Sequence, residues 1–524
     1  MNPILRPQTL CFALVLAACG QRDPRYGLSM ATLPPVAAGS ALFYVQPALD
    51  RAVVVDTGTT DPTVRSVALG TGAALAVPRA AHSEALVLSR GERGSDGVDP
   101  APASLAAVTA TGTARRWTLD APFTALSQSD DGRWALATFD PHAVSERLLF
   151  NPNELALVDL DAAPSATNPV VRTVRSFGGV PQRVVFSPAM VVAGERRVLA
   201  VVLSDAYVTL LDLAHPDRSE VTVRLTLPED TRAVAPSQVL FDVDNATIYL
   251  RADASNDLYV MRLVQVTPAS ATSEDFRPAL NQLAAGTHPS DMALTGTADA
   301  RRVLVVSPGS QDARLLDTIA NTSTVLPLSA PANHILLFGA DATAPATTAL
   351  LYGTNGVASA VSFVALTDLA ARRSLNVETL QLGRTIGDAL PLPERKVVLF
   401  SHPSGTTGSL SLLDLSQRTA APIYSEASLG GARFDGDRQT VWVAPDGLQR
   451  LGYIDLDGFR PGEVRLDAAA TDVVALGGAA RRVAALHAGA EGWFTLIDGA
   501  QPTRAHARSV RGFLLEGLLD EGAQ

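Results

Sequence analysis

Seven times between residues 56 and 498, a short apolar run closes on an aspartate: Val55-Asp56, Val158-Asp159, Leu211-Asp212, Leu316-Asp317, Leu413-Asp414, Ile454-Asp455 and Ile497-Asp498. Successive aspartates are 103, 53, 105, 97, 41 and 43 residues apart. The values near 100 are two units of about 50 residues, so the chain repeats itself at a period typical of solenoids, propellers and arrays. The cleanest unit is residues 181–227, which reads PQRVVFSP, RRVLAVVLSD, AYVTLLDL and VTVRLTL. Each run is rich in Val and Leu and too short for a helix. Four strands in one such unit make one propeller blade.

Two further marks recur. A proline precedes the first strand at Pro181, Pro236 and Pro289, and a basic doublet opens the second strand at Arg196-Arg197, Arg301-Arg302, Arg395-Lys396 and Arg481-Arg482. Asp131-Gly132 and Asp435-Gly436 sit where a tight hairpin between those strands needs positive φ. With these marks the units fall near 40–70, 71–120, 121–177, 178–228, 233–284, 286–329, 331–383, 384–426, 428–467 and 469–510. The expectation is an all-β chain, a β-propeller of about ten four-stranded repeats, closed as one large ring or split into two abutting propellers. The first unit lacks a first strand, and the apolar tail 512–519 is expected to supply it as a closing strand or to form a short amphipathic helix. Once-per-blade recurrence assigns the aspartates to strand-end caps and the basic doublets to solvated strand starts. The order Pro, apolar strand, then a strand ending in Ile/Val-Asp resembles the YVTN and WD40-like propeller repeats of bacterial surface proteins across residues 40–510.

Residues 1–18 combine Arg6 with the apolar run Thr9 to Ala18, a stretch too short to span a bilayer. Leu16-Ala17-Ala18-Cys19 resembles the bacterial lipobox. That resemblance implies a signal peptide (1–18), a diacylated Cys19, a tether over 19–38 and a propeller region over 39–524. It also implies an outer-membrane lipoprotein of the cell envelope, facing the periplasm or the surface and held to the membrane through its N-terminal lipid. Two acyl chains at about 0.8 kcal/mol per buried methylene hold such a chain stably. The only other cysteine, Cys11, lies in the expected signal peptide, which leaves no thiolate metal site, redox pair or Cys nucleophile.

The formal net charge is −11, which excludes a nucleic-acid backbone as partner. None of the eight histidines lies within five residues of another. No nucleophile elbow, phosphate-binding loop or dinucleotide fingerprint is present. No catalytic residue, metal or cofactor is expected. Asp242-x-Asp244-Asn245 and Asp455-x-Asp457-Gly458 lack the remaining ligands of a calcium loop. Ser129 to Trp134 resembles the Asp-box of sialidase propellers but occurs once and is one residue short, so a hairpin is expected there.

The informative departures are two insertions, residues 91–104 in unit two and 140–153 in unit three, each between the second and third strands. Adjacent blades would set them side by side, bringing Arg93, Asp96, Asp99, His142, Glu146 and Arg147 together around Leu148, Leu149 and Phe150. The functional expectation is a binding or scaffolding module for an envelope protein, a peptide or a glycan. The alternative is a lactonase-like or glycan-cleaving propeller enzyme with acidic residues at the central channel.

Overall fold

The computed structural model describes residues 29–516 except 60, 93–99, 143–150, 175–178, 206, 227–233, 271, 340–344, 368–375, 405–406, 427–428, 435–439 and 478–480. The strands form ten four-stranded antiparallel sheets, hereafter blades 1 to 10. They cover residues 36–68, 73–119, 125–173, 181–224, 238–284, 291–327, 334–381, 388–426, 429–465 and 470–511. The chain is a ten-bladed β-propeller.

Burial follows strand position. Second and third strands such as Arg51–Asp56 and Leu199–Ser204 are buried almost throughout. Fourth strands such as Thr63–Ala68 are largely exposed on the outer edge. The blades stack face to face, so consecutive side chains of one strand meet different neighbours. Ala52 and Val54 pack against blade 2, whereas Val53 and Val55 pack against blade 10. Leu199, Val201 and Leu203 face blade 5, while Ala200 and Val202 face blade 3. Both faces are therefore dry, which is why the runs read as continuous Val/Leu rather than as alternation.

An apolar layer fills each seam between successive blades, including the seam between blade 10 and blade 1. That last layer joins Leu42, Tyr44, Val53 and Val55 to Leu476, Leu486, Phe494 and Leu496. Of the two expected arrangements, the blades form one closed ring.

The manner of closure differs from the expectation. Blade 1 has its own first strand, Val36–Ala38, which lies within the stretch assigned to the tether. The described part of the tail, up to residue 516, folds as a short 3-10 turn, Phe513–Leu515, where a closing strand is one expectation. Both Phe513 and Leu514 are buried in the seam, with the Phe513 ring 4.8 Å from Tyr44 and 5.5 Å from Phe494. Arg51 fixes the turn, donating from Nη2 to the Leu514 carbonyl (2.7 Å) and from Nη1 to that of Glu516 (2.6 Å). Gly492 is required beneath it, because a Cβ there would lie 2.7 Å from both Phe513 and Leu514. The Gly477 amide donates to the Gly39 carbonyl, and Arg482 donates to the carbonyls of Thr57 and Thr59.

The seven aspartates are caps. In each, Oδ1 accepts the backbone N–H two residues on: Gly58, Asp161, Ala214, Ile319, Ser416, Asp457 and Ala500. The basic doublets correct the expectation in part. Arg197 is not a solvated strand start. It belongs to an extra hairpin in blade 4, Met190–Val192 with Glu195–Arg197, and is fully buried. The true second strand begins at Leu199.

If the tail closes the ring, Phe513→Ala should lower stability by about 3–5 kcal/mol, the usual cost of emptying a buried phenylalanine site. Denaturant unfolding reads this directly. A loss below about 0.5 kcal/mol, as for a surface change, would show that closure does not depend on the turn.

Candidate functional site

In every blade the turn between second and third strands and the link to the next blade lie on one face, here the upper face. The first-to-second and third-to-fourth turns lie on the lower face. First strands of neighbouring blades approach one another closely between blades 1 and 2, 3 and 4, 5 and 6, 6 and 7, and 9 and 10, as expected of the innermost strands that line a propeller's central channel. Their first residues therefore ring its upper mouth.

Over blades 5 to 8 that mouth is polar. The Asp291 carboxylate joins three blades. Its Oδ1 accepts from Gln238 Nε2 of blade 5 (2.6 Å) and from the Met292 amide (2.8 Å), and its Oδ2 accepts from the Ile335 amide of blade 7 (2.8 Å). His334, with its side chain 45 % exposed, places Nδ1 4.0 Å from Asp291 Oδ2. Its Nε2 lies 3.0 Å from Thr354 Oγ1, and its ring stacks on Tyr352 at 5.4 Å. Burial pushes the Tyr352 hydroxyl up to about 12, with the charges of Asp291 and Asp388 adding to the effect. Buried Arg251 donates to Gln238 Oε1 (3.0 Å), to the Pro289 carbonyl (2.6 Å) and to Asp253 Oδ1 (2.5 Å). Burial works to raise the Asp253 carboxyl, but hydrogen bonds from Ser237 and Arg251 bring it below its ordinary value. Exposed Asp388 of blade 8 extends the arc, its Oδ1 accepting the Ala389 amide.

On the opposite side of the ring, over blades 10, 1 and 2, the aliphatic surface lies lower, towards the last residues of the first strands. A cleft of about 500 Å³ is lined by Pro34, Pro35, Ala37, Ala76, Pro78 and Val474 among others. The channel thus offers hydrogen-bonding groups on one side and aliphatic surface on the other.

Of the expected loop residues, His142 is described. It is exposed, and its amide donates to Asp140 Oδ1 (2.9 Å). Arg93, Asp96, Asp99, Glu146 and Arg147 lie outside the described residues, as does Cys19. The roots of both insertions leave the upper face of adjacent blades 2 and 3. At the two calcium candidates a guanidinium takes the place of an ion: Arg301 reaches Asp242 (3.0 Å) and Asp244 (2.5 Å), and Arg395 reaches Asp457 (2.9 Å). The Asp131-Gly132 segment is a hairpin, tied by Ser129 Oγ to Asp131 and by the Trp134 amide to Ser129 Oγ.

Sequence reasoning missed the channel-mouth set and two buried histidines. His402 of blade 8 lies 2.9 Å from the Thr385 carbonyl and 2.5 Å from Ser411 Oγ. His487 of blade 10 makes the equivalent pair with the Ala469 carbonyl (3.0 Å) and Thr495 Oγ1 (2.8 Å). Two copies at one position of the repeat, both buried, mark a structural tie. It missed also the cluster around Arg197 on the lower face, where four carboxylates surround one buried guanidinium.

Asp291→Ala should cost about 1–3 kcal/mol, since it leaves the Ile335 amide without its acceptor and takes from Gln238 Nε2 one of its two. His334→Ala, at a half-exposed site, should cost less than about 0.5 kcal/mol. Denaturation midpoints of the two variants test whether Asp291 holds the mouth together.

No family model matches the chain, and no curated protein matches it. Among solved structures it is similar to a eukaryotic initiation factor (12 % identity, 84 % of this chain and 88 % of that one, TM-score 0.43). It is similar also to dihydro-heme d1 dehydrogenase NirN (11 %, 86 % and 75 %, TM-score 0.41) and to AztD of Citrobacter koseri (12 %, 73 % and 95 %, TM-score 0.35). Likeness at this level carries no functional assignment to this chain.

Proposed function

We propose that this propeller is a binding module of the bacterial envelope, held to a membrane by lipid on Cys19, and that it engages a polar peptide segment or a glycan of an envelope partner at the upper channel mouth. The observation that supports the reading is the arc over blades 5 to 8. Gln238, Asp291 and His334 of three blades meet at one rim beside the stacked Tyr352, and Asp388 of a fourth blade lies near enough for its charge to act on the Tyr352 hydroxyl. Such convergence of hydrogen-bonding groups with an aromatic ring suits recognition of a polar ligand. The carboxylates at the mouth already accept backbone amides, Asp291 from Met292 and Ile335 and Asp388 from Ala389. Oxygens committed to fixed donors shape a rim better than they shuttle protons, which favours binding over the enzyme alternative. The insertions of blades 2 and 3 rise from the same face and would widen the contact.

Immobilised full-length protein should recover a partner from envelope extracts. The double variant His334→Ala, Asp388→Ala should reduce that recovery at least about tenfold, the loss of roughly 1.4 kcal/mol of contact. Deleting residues 93–99, short of the buried strand that begins at Ala103, should reduce it further while leaving folding intact. Unchanged recovery with both variants would remove the upper face as the binding surface.

The anchor has a separate test. Cys19→Ala should leave the chain unprocessed and unlabelled by radioactive fatty acid. Normal processing and membrane fractionation of that variant would overturn the lipid attachment.

A further inference from the structure

The extra hairpin of blade 4 is fastened to blade 5 in two ways. Met190 and Val192 are fully buried in the apolar layer between the two blades. Arg197, its side chain wholly buried, donates to Asp275 Oδ1 (2.8 Å) and Oδ2 (2.6 Å) at the start of blade 5's last strand. The same guanidinium bonds Asp212 (2.9 Å) and Glu195 (2.7 Å).

Glu274, beside Asp275, is placed differently. Its side chain is 4 % exposed, and Oε2 lies 3.5 Å from Arg218 and 3.7 Å from Arg197 without accepting a hydrogen bond. Three elements meet here. The hairpin brings Glu195 and Arg197, the turn after blade 4's third strand brings Asp212, His215 and Arg218, and the turn before blade 5's last strand brings Glu274 and Asp275. With every carboxylate ionised and His215 neutral, two guanidiniums face four carboxylates, a net 2 − 4 = −2, around a dry centre of Arg197, Asp212 and Glu274 whose rim, Glu195 and Asp275, reaches solvent. A site of that kind favours taking up a proton. Asp275 is held low chiefly by its hydrogen bond from Arg197, and Glu195 chiefly by His215. Asp212 accepts from Arg197 on Oδ2 and from the Ala214 amide on Oδ1, so Glu274 is the member left to carry the proton. Burial pushes it up to about 7, Asp212 adds to this, and Arg218 and Arg197 oppose it.

We propose that this cluster is a proton-dependent strap: protonated Glu274 lets the blade 4 hairpin lie closed against blade 5, and loss of that proton loosens the hairpin. Ionisation adds a buried negative charge beside Asp212, on a carboxylate whose Oε2 accepts no hydrogen bond and whose nearest guanidiniums, at 3.5 and 3.7 Å, are shared with other carboxylates, and this draws the turn open to water. The fold keeps a proton that the unfolded chain releases near 4.5, so this contribution to stability is complete below about 4.5 and is lost as pH rises to about 7. Val191, 58 % exposed on the hairpin, moves with it.

Hydrogen exchange of the full chain tests the strap. Protection of residues 190–197 and 272–276, corrected for intrinsic exchange, should be at least about fivefold higher near pH 5.5 than near pH 8, while the seam between blades 7 and 8 stays unchanged. Glu274→Gln, an isosteric neutral side chain, should keep the high protection at both values. Protection independent of pH in the parent chain, or a pH dependence that survives in Glu274→Gln, overturns the proposal. His215→Gln should leave the dependence in place. If Glu274→Gln does not fold, loss of the dependence in His215→Gln alone would assign the effect to the histidine and reject the strap.

Discussion

Everything in this molecule depends on burying both faces of every sheet. A strand whose odd residues meet one neighbour and whose even residues meet the other has no face to spare for water. Val53 and Val55 need blade 10 as much as Ala52 and Val54 need blade 2. A linear stack of such blades would end in two bare apolar faces, and each exposed Leu, Val or Phe side chain would forgo about 1.5–3 kcal/mol. Closing the ring is the only arrangement that gives blade 1 and blade 10 a partner. Among the described residues no strand is shared between them, so closure there rests on side chains and a few backbone bonds. The Phe513 turn fits this need: it thickens an apolar seam that lacks a strand exchange to hold it.

The repeat was legible because its marks follow from geometry that every blade must satisfy. A third strand that ends at a turn leaves a backbone amide without a partner, and an aspartate there supplies the acceptor. Seven aspartates do so, and the blade limits read from them lie within a few residues of the observed sheets. Val36–Ala38 was illegible because three residues after Pro34-Pro35 carry no period. The basic doublets show a different limit. Arg302 stays partly exposed while Arg197 is buried, although both follow an identical local pattern. The difference comes from Asp275, 78 residues further on, which no window around Arg197 contains.

The channel mouth was hidden for the same reason. Gln238, Asp291, His334 and Asp388 are separated by about one repeat each, and none belongs to a recognisable motif. They become a set only when a ring places the first residue of each first strand at one rim. A site of this kind is written into the architecture rather than into any stretch of sequence. The insertions, by contrast, stand out in sequence because they break the repeat, which makes loops easy to nominate and rims easy to overlook.

The rim and the seams are also mechanically one object. Asp291 joins blades 5, 6 and 7 through the same carboxylate that faces His334, so a ligand drawing on this rim acts on bonds that hold the ring. Blade 5 has a second such junction at its other end, where Asp275 grips Arg197 of blade 4. Its upper end carries Gln238 and Arg251, and its lower end carries Glu274 and Asp275. A rigid four-stranded sheet connects the two.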